Sequence, residues 1–255
     1  MGSYVKETVD KYALPSSLSE MDSRNVFYPL CGFIDNWALR NGYSLLNKQL
    51  SGSRAKGTAI TISSDLDIFI SLSSASSGTL STIYNSLFDY FNSQNIKCRK
   101  QNVSIGVIYN NKKVDLVPGK RQHHYGDDHS LYKSKQDSWT QTNITTHIST
   151  VRNSNRTVEI MATKIWRERH GLEFPSLFLE LAVIEATKYR KYGEYNDNFW
   201  EVLKWLSLNI TSTRIIDPAN SNNILSDDLS IIEKKSISSK AYESLQKKNW
   251  GEIIW

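Results

Sequence analysis

Hydrophobic residues recur at two spacings along the chain, and each spacing predicts one kind of element. Near the N-terminus they follow the 3.6-residue period of an amphipathic helix, which predicts mainly helix over residues 5–12 and 17–50. From Leu66 to Leu72 they alternate with Asp, Phe and Ser, the two-residue period of a strand. From Leu80 to Ser93 the helical spacing returns, so a second amphipathic helix is predicted there.

The middle of the chain is predicted to be rich in strands. The predicted strands are 96–99, 103–109 and 113–117. Asn110 and Asn111 between the last two are typical of a tight hairpin turn. Pro118 and Gly119 are predicted to end the third strand. Residues 119–147 are polar and lack a clear period, which predicts a loop with short helical turns.

Helices are predicted again in the last third of the chain. They span 155–170, 175–192, 197–207 and about 227–249. The order of elements is therefore helix, then mixed helix and strand, then helix, which predicts an α+β fold. We expect two lobes: 1–150, with the N-terminal helices and a mixed, twisted sheet, and a helical lobe at 151–255. The active site is expected in the cleft between them.

Composition narrows the class of protein. The 255 residues include 31 basic and 26 acidic ones, a net charge of +5 that suits nucleotides or RNA as well as an inert surface. Cys31 and Cys98 are the only cysteines, which excludes a disulfide scaffold and a cysteine-based zinc finger. With no long apolar run and no secretory signal at the N-terminus, we expect a cytoplasmic protein that does not bind membranes.

Three carboxylates are candidates for metal binding. Asp65 and Asp67 lie two apart on a predicted strand, so their side chains share one face about 7 Å apart. Asp115, in the second arm of the predicted hairpin, could lie beside them on that face. Three neighbouring carboxylates repel one another, and Mg²⁺ binding through a few carboxylates and substrate phosphates would remove the repulsion. The alternative is that they line the solvated face of an edge strand.

A turn ahead of this strand is a candidate phosphate site. Gly52 and Ser53 would present backbone N–H groups and a hydroxyl to a triphosphate, although the same residues also mark ordinary turns. Arg54 and Lys56 just after them would either bind phosphate or remain solvated loop charges.

These residues together resemble one superfamily. Gly52-Ser53, a spacer of eleven residues, Asp65 and Asp67, and the later Asp115 are similar to the signature of the DNA polymerase β-type nucleotidyltransferases. Within it the chain resembles the branch that holds oligoadenylate synthases, cyclic GMP-AMP synthases with their bacterial cyclic-oligonucleotide relatives (the CD-NTases), and archaeal CCA-adding enzymes.

Further segments are similar to the same branch. They are Trp139–Asn143 with His147, Met161–Trp166, Phe174–Glu180 and Ile216–Asn220. The resemblance implies that Lys164 contacts the donor triphosphate and that Ser176 belongs to the nucleotide site. On the residues alone, Lys164 could be a lysine that extends its amine to solvent, Ser176 a local helix cap, and His147 a residue that orders its loop.

The resemblance also implies an activity. The fold would be the two-lobed nucleotidyltransferase fold, with Asp65, Asp67 and Asp115 holding two Mg²⁺ ions, or Mn²⁺ as a substitute. The enzyme would join nucleoside triphosphates, without a template, into a cyclic or short linear oligonucleotide messenger in antiphage signalling, alongside a separate effector or regulator protein. Two alternatives stay open: transfer of AMP or CMP to tRNA, another RNA or a protein, and a non-catalytic nucleotide-binding module.

Overall fold

The computed structural model describes residues 2–63 and 65–255. They form two compact units that alternate along the chain. The sheet unit contains residues 15–55 and 65–148, and the helical unit contains residues 2–14, 56–63 and 149–255. The predicted division into functional lobes at residue 150 stays a prediction.

Helices and strands alternate in the first half of the chain, and helices dominate the second. The helices are α1 (Tyr4–Tyr12), α2 (Ser16–Asp22), α3 (Tyr28–Arg40), α4 (Gly52–Lys56), α5 (Leu80–Ser93), α6 (Ile144–Asn153), α7 (Thr157–Arg169), α8 (Ser176–Ala186), α9 (Tyr195–Asn209) and α10 (Ile231–Leu245). The strands are β1 (Leu45–Leu50), β2 (Leu66–Leu72), β3 (Cys98–Lys100), β4 (Ile105–Tyr109), β5 (Lys112–Arg121), β6 (His129–Lys133), β7 (Ser138–Thr142), β8 (Ile216–Asp217) and β9 (Asn220–Ile224). The predicted α+β class is confirmed.

The sheet unit is built on one mixed sheet. Its strand order is β1-β2-β5-β4-β3, with β6 paired to β5 and β7 to β6. The β2–β5 pair is parallel, and the other described pairs of this sheet are antiparallel. The hairpin between β4 and β5 turns at Asn110 and Asn111, both with positive φ, as a tight turn between twisted strands requires.

One face of this sheet is covered by helices. The apolar side of β2 packs into a core with α3 and α5. The core residues from these three elements include Leu66, Ile68, Ile70, Leu30, Ile34, Trp37, Leu87 and Phe91. Side chains alternate between the two faces of a strand, so the polar positions of β2 lie on the opposite face of the sheet.

The helical unit is organised around α7. Every residue from Glu159 to Arg167 on this helix is buried, so α7 is enclosed on all sides rather than on a single apolar face. α1, α8, α9 and α10 all contribute to the surrounding core. A capping box at the start of α10 is formed by Ser230 and Glu233. The Ser230 side chain accepts from the Glu233 N–H, and the Glu233 side chain accepts from the Ser230 N–H, so two N–H groups at the helix start are satisfied.

Three predictions were wrong. Leu45–Leu50 is a strand rather than the end of a helix, because its backbone groups pair with β2 and this pairing outweighs local helix preference. Residues 119–147 are not a loop; they hold β6, β7 and the first four residues of α6. Pro118 and Gly119 do not end β5, which continues to Arg121.

Gly119 is in the strand because of packing. A Cβ on Gly119 would stand 2.7 Å from the Phe69 ring and 3.2 Å from His129 Cβ. A glycine within a strand often marks such a close approach rather than a turn.

Candidate active site

Two of the predicted carboxylates are direct neighbours across the sheet. The parallel register pairs Asp67 of β2 with Asp115 of β5, on strands about 4.8 Å apart. Leu66 and Leu116, adjacent to them in sequence, point into the core under the sheet. Asp67 and Asp115 therefore lie on the open face, and both are partly buried.

Asp65 lies just before β2 and is exposed. Burial and the negative charge of Asp65 raise the pKa of Asp115, opposed by a hydrogen bond from Gln101 and the charge of Arg99. Asp65 is therefore near enough to Asp115 for the two carboxylates to repel each other. The cluster favours any cation that enters it.

Gln101 holds the Asp115 carboxylate in place. Its amide Nε2 donates to Asp115 Oδ1 at 3.1 Å, and its amide oxygen accepts from Ser104 Oγ at 2.7 Å. Its backbone carbonyl accepts from Tyr84 Oη at 2.5 Å and from Ser134 Oγ at 2.6 Å. Because hydrogen bonds fix both the side-chain amide and the backbone carbonyl of Gln101, its position does not depend on Asp115. Gln101 therefore sets the orientation of the Asp115 carboxylate.

Gly106 provides the space for this contact. It is the register partner of Asp115 on β4, and a Cβ there would stand 2.6 Å from Gln101 Nε2. The spacing of residues in the sequence does not point to Gln101, Ser104 or Gly106. A lone glycine within the apolar run of β4 was the available signal, since such a glycine indicates close approach of another group.

Gly52 lies against the carboxylate of Asp67. A Cβ on Gly52 would stand 1.8 Å from Asp67 Oδ2, and the φ of Gly52 is +58°. The Ser51 N–H donates to the Asp67 carbonyl at 2.9 Å, which fixes the start of the turn to β2. Ser53 follows in the first turn of α4, partly exposed.

The two basic residues after this turn are neither solvated nor available to phosphate in this structure. Arg54 Nη2 donates to Asp22 Oδ2 at 2.7 Å, with both side chains buried. Lys56 Nζ donates to Glu180 Oε2 at 2.7 Å, and these two side chains are buried as well. Both cations stabilise the positions of the elements around the turn.

Lys164 belongs to the same buried network as Lys56. Its Nζ donates to Glu180 Oε1 at 2.7 Å and to Thr58 Oγ1 at 2.9 Å. Burial alone would raise the pKa of Glu180, but the charges of Lys164 and Lys56 outweigh burial and hold that pKa below its ordinary value. Glu180 is therefore an anion that bridges two ammonium groups, an arrangement that the sequence alone does not predict.

Ser176 is exposed at the start of α8, where Arg167 Nη1 donates to its Oγ at 3.3 Å. Ser176 and Lys164 belong to the helical unit, whereas Gly52, Ser53 and the three aspartates belong to the sheet unit. The roles assigned to all these residues stay predictions.

Residues 123–129 include three histidines and two aspartates, residue types that bind metals, but they do not form a metal centre among the described residues. His129 lies in β6, where its Nδ1 contacts the Asp127 carbonyl at 2.8 Å and its Nε2 contacts Ser71 Oγ at 2.7 Å. A carbonyl only accepts, so Nδ1 carries the proton and Ser71 donates to Nε2. Burial lowers the pKa of His129, consistent with a neutral ring.

The aspartate cluster fits a magnesium site in its donor chemistry. In residues 2–63 and 65–255, no three Asp, Glu, His or Cys side chains converge closely enough to hold an ion as they stand. Asp67 and Asp115 are nevertheless held side by side, and Asp65 is exposed, so a change of its rotamer moves a third carboxylate without disturbing the core. Carboxylate oxygens of this kind are the ligands Mg²⁺ prefers.

The chain has the fold of the CD-NTases. It is similar to the structure of E. coli MS115-1 CdnC with ATP, at 19% identity and a TM-score of 0.75 over 94% of this chain and 89% of that one. Bradyrhizobium diazoefficiens CdnG in complex with GTP aligns at 13% identity and a TM-score of 0.75, covering 94% and 88%. Rhodothermus marinus CdnE c-UMP-AMP synthase aligns at 14% identity and a TM-score of 0.61, covering 98% and 99%.

The likeness lies in structure rather than in sequence. No protein-family model matches the chain, and no curated protein matches it. The resemblance predicted from the sequence is confirmed at the level of the fold. Within the described residues, no helix is both long and apolar enough to cross a membrane.

Proposed function

We propose that this protein is a template-independent nucleotidyltransferase that joins nucleoside triphosphates into a cyclic or short linear oligonucleotide, with release of pyrophosphate. The observation that carries the proposal is the register pairing of Asp67 with Asp115, together with the contact between Gly52 and the Asp67 carboxylate. A turn of the kind that can bind phosphate therefore lies directly against the two carboxylates that we propose to bind metal. The CD-NTase fold supports the same activity.

In this proposal Asp65, Asp67 and Asp115 hold two Mg²⁺ ions, with Mn²⁺ as a substitute. When bound, such ions favour deprotonation of the attacking hydroxyl and neutralise charge on the leaving phosphate oxygens. Asp115 would be a ligand of the ion that activates the attacking hydroxyl. Gln101 fixes its carboxylate through the hydrogen bond at 3.1 Å, so no reorganisation of this ligand is needed during the reaction.

The donor triphosphate is proposed to lie over Gly52 and Ser53. Gly52 has no side chain between the backbone and Asp67, so phosphate can approach both the backbone N–H groups and the ligated carboxylate. Ser53 adds a hydroxyl. Lys164 and Ser176 remain proposed contacts of the donor. For Lys164 this requires that its ammonium exchange one of its present acceptors, Glu180 or Thr58, for a phosphate oxygen.

The biological context is part of the proposal. One similar structure is a c-UMP-AMP synthase with nucleotide analogues, and another is a CdnC:HORMA complex. These names support a cyclic product and a regulator or effector protein as partner. The role in antiphage signalling is proposed from the resemblance of the sequence to the bacterial cyclic-oligonucleotide synthases. A cytoplasmic location fits because nucleoside triphosphates are the substrates.

The test is incubation with labelled ATP, GTP, CTP and UTP and Mg²⁺ or Mn²⁺, with and without tRNA. We expect a small, phosphatase-resistant product. Label found only on RNA or on the protein would contradict the proposed product and favour a polymer acceptor. No turnover with either metal would favour a nucleotide-binding module.

The matched variants are Asp67→Asn and Asp89→Asn. Asp67→Asn keeps the shape of the side chain and removes the charge, so we expect loss of product. Asp89 is exposed on α5, outside the proposed site, and Asp89→Asn should retain activity. Full turnover by Asp67→Asn would contradict the metal assignment.

A further inference from the structure

A row of side chains continues from Asp115 toward the edge of the sheet. Arg99 of β3 pairs in register with Gly106 of β4, and Gly106 pairs with Asp115. A Cβ on Gly106 would stand 3.2 Å from Arg99 Nε, so the Arg99 side chain lies across the glycine. Arg99 lines the same pocket as Asp65 and Asp115, so its side chain lies on the same face of the sheet as the carboxylates, and its positive charge lowers the pKa of Asp115.

A second row of side chains crosses the same three strands, displaced from the first row by two residues on each strand. Ile108 of β4 pairs with Lys113 of β5, and the Ile108 N–H donates to the Lys97 carbonyl at 2.9 Å. Ile108 is 43% exposed, an apolar floor between two lysines. The two rows line a pocket of about 220 Å³ that also includes Asp65 and Asp115. We call Lys97, Arg99 and Lys113 with this floor the basic groove.

The three cations of the basic groove are exposed. Lys112, the sequence neighbour of Lys113, is engaged by Asp22 at 3.2 Å. By contrast, none of the ion pairs found in the described residues includes Lys97, Arg99 or Lys113. In the part of the chain that the structure describes, the fold thus gathers three cations on one face, and none of them lies within ion-pair distance of a carboxylate.

We propose that the basic groove binds the 5′-phosphate groups of the acceptor nucleotide, the one whose ribose hydroxyl attacks the donor. The inference rests on the proposed function. It assigns the donor triphosphate to the side of Gly52 and Ser53 and the acceptor phosphates to the side of the basic groove. Lys97, Arg99 and Lys113 are binding residues in it and do not touch the reacting atoms.

The position of the groove separates acceptor from donor. Across the sheet the order is β1, β2, β5, β4, β3. Gly52 follows β1 and touches Asp67 of β2, whereas the groove lies beyond Asp115, on β4 and β3. The two phosphate-binding regions therefore flank the carboxylates. An in-line displacement needs the attacking oxygen and the leaving group on opposite sides of the phosphorus, and two phosphate-binding regions on opposite sides of the carboxylates meet that requirement.

The chemistry of the groove favours a polyphosphate. Three cations concentrated within one small pocket match the several charges of a triphosphate, whereas an RNA backbone spreads one charge over each nucleotide. A nucleoside triphosphate, or a short linear product that keeps its 5′-triphosphate, is accordingly the ligand we infer. Longer RNA is the alternative that the experiment must separate.

The first experiment measures binding without catalysis. Inorganic tripolyphosphate is titrated, in the absence of divalent cations, into the wild type, K97Q/R99Q/K113Q and Lys100→Gln. Lys100 is the matched control, since it neighbours Arg99 on β3 but contacts Asn85 and Phe88 of the helix-covered face. We expect the triple variant to bind one equivalent fewer than the wild type and Lys100→Gln to bind the same number.

The second experiment separates acceptor from donor. A 2′,3′-dideoxynucleoside triphosphate has no attacking hydroxyl and serves only as donor. Adenosine and the α,β-methylene analogue of ATP cannot give up a nucleotidyl group and serve only as acceptors. Loss of charged phosphate contacts should raise the KM of the triphosphate acceptor about tenfold in the triple variant and leave the KM of adenosine and of the donor unchanged.

The outcomes distinguish this inference from the proposed function. Equal tripolyphosphate binding by the wild type and the triple variant would overturn the basic groove, even if both form product. Loss of binding in the triple variant, with no transfer by the wild type from any nucleotide, would retain the groove as a polyphosphate site and contradict the proposed function. Displacement of tripolyphosphate by tRNA but not by ATP would assign the groove to RNA and overturn the inference.

Discussion

Gly52 and Asp67 are packed so closely that no side chain fits between them. A Cβ at Gly52 would stand 1.8 Å from Asp67 Oδ2, and the glycine has a φ of +58°. Two independent constraints thus act on one position: the backbone conformation favours glycine, and the neighbouring carboxylate excludes anything larger. The turn and the carboxylate behave as one unit.

We predict that Gly52→Ala lowers kcat/KM by about 100-fold, because the new methyl group must displace the Asp67 carboxylate. Gly42→Ala is the matched control, since Gly42 has a φ of +66° but nothing within 4 Å of its Cβ position. It should cost about 1 kcal/mol of stability and leave turnover intact. Steady-state kinetics and urea unfolding measure both effects. Equal activity losses in the two variants would mean that the clash with Asp67 has no role.

Gln101 is predicted to set the pH dependence of the reaction. Burial and Asp65 raise the pKa of Asp115, and the hydrogen bond from Gln101 opposes this. Gln101→Leu should therefore raise that pKa further, so that a larger share of Asp115 is protonated at any given acidic pH. We expect the acidic limb of the kcat/KM profile to move to higher pH.

Ser104→Ala should move the acidic limb in the same direction by a smaller amount, because the hydrogen bond of Ser104 lowers the pKa of Asp115 less than that of Gln101 does, and the Ser104 hydroxyl also donates to the Gln101 amide oxygen. A lower rate with an unmoved acidic limb in both variants would mean that Gln101 has a structural role only.

Glu180 is predicted to be a main source of stability in the helical unit. Glu180→Gln removes the one carboxylate that bridges Lys164 and Lys56, leaving buried charge without its counterion. The expected loss in the free energy of unfolding is about 3–5 kcal/mol. Urea denaturation at neutral pH measures it, and a loss below about 1 kcal/mol would contradict the role assigned to the network.

The same residue gives a pH prediction. The pKa of Glu180 in the folded protein lies below its ordinary value, so the folded state binds this proton less readily than the unfolded state does. Its stabilising contribution is complete above the ordinary pKa of a glutamate, about 4.3. It is lost as the pH falls through the lower, folded value. Wild type should lose more stability than Glu180→Gln between pH 5 and 3, as measured by urea midpoints; parallel curves would contradict this.

Gly119→Ala is predicted to destabilise the sheet unit by about 1–3 kcal/mol. The new methyl group would stand 2.7 Å from the Phe69 ring, which packs edge-on to His129. Thermal unfolding of this variant against Gly126→Ala is the test, because Gly126 has nothing within 4 Å of its Cβ position although its φ is +95°. A larger loss for Gly126→Ala than for Gly119→Ala would show that backbone conformation matters more than packing here.

The spacing of hydrophobic residues predicted those elements whose form depends on residues close together in the sequence. The alternation of β2, the amphipathic α5 and the turn at Asn110 and Asn111 all follow from neighbouring residues, and the structure has each of them. Spacing missed β1 and β6, whose strand form depends on pairing with β2 and β5.

The candidate site shows the same division. The two-residue period of a strand was enough to predict that Asp65 and Asp67 share one face. The position of Asp115 beside them could be predicted only from the family resemblance, because the sequence does not show which strands pair. Gln101 could not be found, because its contact with Asp115 depends on how β3, β4 and β5 are aligned. The buried pairing of Lys164 with Glu180 likewise requires knowing which helices pack together.

The parallel pairing of β2 with β5 has a consequence for how the protein folds. A parallel pair cannot close through a tight hairpin; the chain must first complete a long excursion, here through α5 and the β3–β4–β5 meander. Pairings of this kind form late and slowly. Asp67 and Asp115 therefore become neighbours only when the sheet itself is complete. Partly folded chains, on the ribosome or after stress, would lack the paired carboxylates that the proposed metal site and the proposed nucleotidyl transfer require.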